Sequence, residues 1–260
     1  MIASAKQIFQ AKDLLRALTD RNIRARYQQS IIGGLWIIVQ PLTTAIIFSI
    51  IFTYFVPVDT GDIPYPVFSY TAVVPWLFLS SSLTDMTASL VANMNLVTKI
   101  YFPREMLPIS SMLARLVDFL VGMSLLVIMI FLFDVPVFPA GWLFLPVILL
   151  VQIILITGLG FMFSAVNVFY RDAASALTLG IQLWFYASPI IYPVSMVPER
   201  LRPIYQLNPM AGILESYRAV FLYQSYPPPS LIISAIVSVI LFVLGYWFFK
   251  RKEFEFADIV

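Results

Sequence analysis

Cysteine and histidine are both absent from the 260 residues. That excludes disulfides, thiolate nucleophiles, Cys/His metal sites and every histidine-based triad. It also removes the side chain that titrates most readily near neutral pH. Charge is scarce: Asp, Glu, Lys and Arg make up 12% of the chain, against roughly 25% in a soluble globular domain. A net charge of +2 without a long basic run gives no footing for nucleic acid. The five lysines follow Ala5, Ala11, Thr98, Phe249 and Arg251, never glycine, so there is no Walker A loop. Gly158 and Gly160 open a G-x-G, but Phe163 stands where a dinucleotide fingerprint needs glycine. The 14 acidic residues are scattered and form no D-x-D.

What is present is apolar. Hydrophobic residues make up 60% of the chain, above the roughly 45–50% of soluble domains. Six uncharged or nearly uncharged runs are long enough to cross a bilayer as helices, which takes about 20 residues. They cover 31–56, 65–91 (broken by Asp85), 108–133 (with Arg115 and Asp118), 142–168, 173–192 and 231–249. Backbone in lipid must pair internally, and runs such as "LFVLGYWFF" lack the alternation of a barrel strand. The fold class is therefore an all-α integral membrane protein in one domain. Residues 1–30 form a cytoplasmic interface helix, 31–192 spans one to five, 193–228 an outer segment, and 229–260 span six and a tail.

Orientation follows from Lys and Arg. With the N-terminus inside, the inner segments hold twelve of the 16 basic residues, while the outer loops "VDTGDIP" and "DVPVFPAG" hold none. Both termini are expected in the cytoplasm. A charged stretch rather than a short apolar region precedes the first run, so no cleavable signal peptide is expected. In that stretch Ile8, Ala11, Leu15 and Leu18 recur at helical spacing with charges opposite. The spacing fits an amphipathic helix on the membrane surface, or else a charged leader that only sets topology.

The segment after the fifth run is cut by Pro189, Pro193, Pro198, Pro203 and Pro209 into apolar pieces too short to span. Such pieces read as re-entrant gate helices on the outer side, or as a structural cap. Arg115 and Asp118 are three apart on one helix face and can pair; Asp85 has no local partner. Aromatics are abundant, at 15%. Tyr54, Trp76, Phe78, Trp184, Tyr186 and Tyr192 lie toward the outer halves of their runs. There they either fill packing and interfacial positions or line a path for a sugar chain.

The stretches "DRNIRARYQQSIIGGLWIIVQP" (20–41), "VPWLFLSSSLTDMTASLVANMNLVTKIYFPREMLP" (74–108), "NVFYRDAASALTLGIQLWFYASPIIYPVSMVP" (167–198), "LNPM" (207–210) and "FFKRKEFEFADIV" (248–260) carry a family resemblance over nearly the whole chain. The chain resembles the membrane (permease) subunits of ABC-2 type polysaccharide exporters, which move O-antigen, capsule or teichoic acid. The resemblance implies a homodimer working with two copies of a separate ABC ATPase, which carries the ATP and magnesium. No cofactor or metal is implied on this chain, which is a transport subunit and not an enzyme. The implied cargo is a lipid-linked polysaccharide crossing a bacterial inner membrane, with O-antigen export in lipopolysaccharide biosynthesis favoured. The alternatives are a membrane enzyme acting on lipid-linked sugars, which needs a catalytic carboxylate pair, and an ion-driven transporter, which needs partnered mid-membrane acids.

The resemblance also makes the connection between spans two and three a coupling helix that docks on the ATPase. Asn95, Lys99, Tyr101, Phe102, Pro103, Arg104 and Glu105 are the expected coupling residues. Tyr101 and Phe102 would serve as aromatic anchors, Lys99, Arg104 and Glu105 as a polar rim, and the prolines as stiffeners. Arg24, Arg26 and Arg171 flank the cytoplasmic ends of spans one and five. They are candidates for a lipid pyrophosphate head group, or simply part of the positive-inside bias.

Overall fold

The computed structural model describes residues 11–28, 32–99 and 102–257, and the regular structure among them is all helical, with no strand. Helix α1 (Lys12–Tyr27) comes first among the described residues. The first long apolar helix is α2 (Trp36–Ile50), entered through a 3-10 turn at Gly33–Leu35 and continued by a π turn at Ile51–Phe55. Then come α3 (Tyr65–Ala92), a short α4 (Met94–Lys99) and α5 (Met106–Leu132). A four-residue α6 (Pro139–Trp142) leads into α7 (Leu145–Phe169), followed by α8 (Asp172–Tyr186). After a short α9 (Arg202–Tyr205), α10 (Pro209–Phe221) and α11 (Ser230–Lys252) complete the bundle.

Five of these helical stretches are long and apolar enough to cross a membrane: Gly33–Phe55, Tyr65–Ala92, Met106–Leu132, Pro139–Phe169 and Ser230–Phe256. The run expected at 173–192 is shorter than the sequence implied. Its helix has 15 residues, a rise of about 22 Å against a hydrocarbon core of about 30 Å. Two features end it early. Pro189 disfavours helix at Ser188 and cannot donate to the ladder, and Asn208 Nδ2 donates to the Ala187 carbonyl and to Ser188 Oγ, both at 3.0 Å.

The centre of the bundle is α3, packed by α2, α5, α7, α8 and α10. Being covered on several sides, it has no single apolar stripe, and Phe68, Tyr70, Leu79, Leu83 and Met86 are all buried. Its buried backbone draws on two amides of α7: Gln152 Nε2 donates to the Pro75 carbonyl at 2.7 Å and Asn167 Nδ2 to the Thr87 carbonyl at 3.0 Å. Helices α7 and α11 form the most extensive pair. Glycine is required at their crossing: a Cβ on Gly158 would lie 2.5 Å from the Phe242 nitrogen, and one on Gly245 would strike the Gly158 carbonyl. Without a hydrophobic drive between helices in lipid, close backbone approach supplies the attraction.

Candidate functional site

Four charged side chains meet where α1 crosses α3 and α5. Arg26 of α1 donates through Nη2 to Asp85 Oδ2 (3.0 Å) and through Nη1 to Asp118 Oδ2 (2.5 Å). Arg115 takes Asp85 in a fork, Nε to Oδ2 at 2.7 Å and Nη2 to Oδ1 at 3.2 Å, and reaches Asp118 at 3.3 Å. Tyr27 donates its hydroxyl to Asp118 Oδ1 at 2.8 Å. Burial, reinforced by Asp118, raises the Tyr27 phenol above its usual value, so it remains a donor. The pairing of Arg115 with Asp118 agrees with their spacing. Asp85, for which the sequence offers no local partner, finds its partners 59 and 30 residues away, beyond the reach of local spacing.

The three arginines considered for a head group are separated. Arg24 is exposed on the outer face of α1, beside Asp20, Arg21 and Gln28 around a shallow hollow. Arg171 is exposed just before α8. Arg26 is instead half-buried and committed to two carboxylates.

In the connection between α3 and α5, Asn95 and Lys99 on α4 are exposed, while Phe102 and Pro103 are half-buried. Phe102 packs on a cluster with Leu18, Leu90, Met106, Phe249 and Phe256; Tyr101 lies outside the described residues. Two expectations change here. Glu105 is fully buried rather than at a rim, and pairs with Lys250 of α11 at 2.6 Å. Arg104 donates to the Glu253 carbonyl and lies 6.0 Å from the Phe256 ring. Lys250 also holds Glu253 at 2.6 Å. The connection is thus clamped to the end of α11, because an apolar patch (Phe249, Phe256) sits beside charges that need partners.

The aromatic set divides as well. Trp76 and Phe78 face the interior of the bundle, at 4% and 3% exposure, which takes them off any surface path in this chain. Trp76 meets Trp184 and Phe185 edge-on at 5.8 and 5.6 Å, and Phe78 lies 4.9 Å from Phe119. Trp184 is half-buried and donates Nε1 to Asn208 Oδ1 at 2.8 Å. Tyr192 is half-buried and donates to the Tyr186 carbonyl at 3.0 Å. Tyr54 (79%) and Tyr186 (68%) are exposed.

Sequence reasoning missed the polar stripe on α8. Arg171, Ser175, Thr178, Gln182 and Tyr186, spaced by three or four, are all exposed on one face. The opposite face, with Leu177, Ile181 and Trp184, borders an apolar groove of about 670 Å³ closed by Ile204 and Tyr205. The spacing was legible, but an apolar run read for length hides a stripe of uncharged polar residues.

Above α8 the outer segment is held by Arg218 of α10, which is 2% exposed. Its Nη1 donates to the carbonyls of Pro189 (2.6 Å) and Tyr192 (3.3 Å), and its Nη2 to that of Ile190 (2.7 Å). The guanidinium lies 3.7 Å from the Phe68 ring centre, in cation–π range.

Comparison with known proteins adds the family context. The ABC-2 type transporter profile matches residues 13–222. The chain is 33% identical over 250 residues to an O-antigen export system permease protein RfbA of Klebsiella pneumoniae, covering 95% of each chain. It is 30% identical over 264 residues to an RfbA of Myxococcus xanthus, covering 99% of each. The polysialic acid transport protein KpsM of Escherichia coli matches at 25% identity, over 93% of this chain and 94% of its own length.

Proposed function

The chain belongs to the ABC-2 type transporter family, and from that premise we propose that it is the membrane subunit of an ATP-driven exporter of a lipid-linked polysaccharide of the O-antigen type. ATP and magnesium bind on a separate ATPase partner. Two copies of the chain form the transporter in a bacterial inner membrane, with both termini in the cytoplasm. Helix α8 with the turn after it makes the sixth crossing, and α9 and α10 re-enter from outside as the gate.

The observation that carries this reading is the stripe Ser175–Thr178–Gln182–Tyr186 on the outward face of α8. Polar side chains at membrane depth are costly against hydrocarbon and are tolerated where they face water or a polar partner. Two copies with these faces opposed enclose a path that offers hydrogen bonds to sugar hydroxyls. Exposed Tyr54 and Tyr186 add ring faces for their C–H surfaces. Exposed Arg24 and Arg171 suit the pyrophosphate of the carrier lipid. Exposed Asn95 and Lys99, with half-buried Phe102, suit contact with the ATPase.

The test is the triple variant Ser175→Leu, Thr178→Leu, Gln182→Leu, assayed as the complex in inverted membrane vesicles. ATP-dependent transfer of lipid-linked glycan into the lumen is expected to fall sharply, while ATPase association and basal hydrolysis hold. Undiminished transfer would remove α8 from the path.

A further inference from the structure

Helix α1 is joined to the membrane helices by several polar contacts, among them the Tyr27 hydroxyl on Asp118. Arg21 Nη2 donates to Asn93 Oδ1 at 2.7 Å and Asn22 Nδ2 to Ser110 Oγ at 3.1 Å, both contacts to neutral partners. Arg26 instead completes a charge balance. Two guanidiniums, Arg26 and Arg115, face two carboxylates, Asp85 and Asp118. Asp85 lies two turns inside the inner end of α3, and Asp118 about three turns inside that of α5.

Removing Arg26 leaves one guanidinium to two carboxylates. A surplus charge at that depth is strongly disfavoured, because breaking a partly buried pair strands the remaining ion. Arg115 alone does not balance both carboxylates: its Nε and Nη2 hold Asp85, and its Nη1 reaches Asp118 only at 3.3 Å, so one negative charge remains in surplus. Displacement of α1 therefore favours carrying α3 and α5 along over leaving them behind. Arg26 is also the quartet member contributed from outside α3 and α5, and it bridges one carboxylate on each. A pairing confined to α3 and α5 would hold the bundle without involving α1 at all.

The surroundings leave room beside the quartet. Arg26, Tyr27, Arg115 and Asp118 line a cavity of about 300 Å³ that extends past Phe119 to Gln40 of α2. Close-packed interiors resist rearrangement. Here space remains between the quartet and α2, so these side chains are not fully close-packed.

We propose that Arg26 is a positioning residue that ties α1 to α3 and α5, so that any movement of α1 during the transport cycle reaches both helices together. The inference rests on the exporter reading above and assigns the coupling path within it.

The experiment replaces the ionic tie with a removable covalent one. Arg26→Met is compared with wild type as the complex with the ATPase in inverted vesicles containing endogenous lipid-linked glycan. The readouts are ATP hydrolysis, ATPase co-purification and ATP-dependent entry of glycan into the lumen. R26M is expected to retain co-purification and basal hydrolysis and to lose about tenfold or more in glycan entry, the scale of an ordinary coupling free energy. A second variant adds two cysteine pairs to R26M, Asn22→Cys with Ser110→Cys toward α5 and Arg21→Cys with Asn93→Cys toward α3, each joined by a short bis-methanethiosulfonate linker. This chain has no native cysteine to compete. Glycan entry should return when the linker is in place and vanish on reduction, which a purely structural role for Arg26 does not produce. If R26M fails to accumulate, Arg26→Lys takes its place, since it keeps the charge but not the planar fork; a partial loss, restored by the linker, is then expected. Normal glycan entry by the Arg26 variant, or a completed cross-link that restores nothing, overturns the tie. Absence of ATP-dependent glycan entry by the wild-type complex overturns the exporter reading instead, and the tie with it.

Discussion

Arg218 is the residue on which the outer segment is expected to depend most. It is 2% exposed, and its guanidinium supplies three hydrogen bonds to the carbonyls of Pro189, Ile190 and Tyr192, the turn that ends the α8 region. Prolines at 189 and 193 deprive this turn of a regular ladder, so its carbonyls need an outside donor. Arg218→Met keeps much of the apolar stem and the contact with Phe68 but removes every donor. Each stranded buried carbonyl costs about 1–3 kcal/mol. Relief from burying a cation offsets part of that sum, leaving an expected net loss of about 3–5 kcal/mol. Arg218→Lys should lie between the two, since one ammonium cannot match a fork that spans Pro189 and Ile190. Hydrogen exchange of 187–208 in detergent, with thermal unfolding in parallel, measures both consequences. R218M should lose protection in this segment first, with a lowered Tm. Native-like protection together with an unchanged Tm would refute the claim that Arg218 holds the outer cap.

Three further outcomes follow from the packing. Gly158→Ala should destabilise the chain by about 1–3 kcal/mol through overpacking, because the new Cβ falls 2.5 Å from the Phe242 nitrogen; Tm in detergent is the check. Glu105→Gln should loosen the connection between α3 and α5 and weaken ATPase co-purification. Its stability effect should be about 1–2 kcal/mol, small for a buried pair because Lys250 is partly exposed and keeps Glu253. Trp76→Ala should lower Tm by removing a buried ring worth about 3–5 kcal/mol, whereas Tyr54→Ala, at a residue 79% exposed, should leave Tm unchanged and alter only glycan transfer.

The sequence by itself determined the class of the molecule, because hydrocarbon solvent admits few solutions. Long uncharged runs must be helices, and the helices at Tyr65–Ala92 and Met106–Leu132 lie close to the boundaries expected of them. The pairing of Arg115 with Asp118 was legible for a similar reason: residues three apart on a helix are neighbours whatever surrounds them. Where a side chain's environment is set by another segment, the sequence was silent or misleading. Trp76 and Phe78 looked like channel rings, yet α3 is enclosed by neighbouring helices, so both are interior. Glu105 looked like a rim charge and is buried against Lys250, 145 positions along. Asp85 looked alone until α1 folded back and brought Arg26 to it. Helix α8 stops at Tyr186 because Asn208 and Arg218, from the far side of the outer segment, satisfy the backbone where the helix gives way. Helical periodicity is local and can be read along the chain; the balance of a buried charge depends on which distant residue arrives beside it, and the tertiary packing decides that.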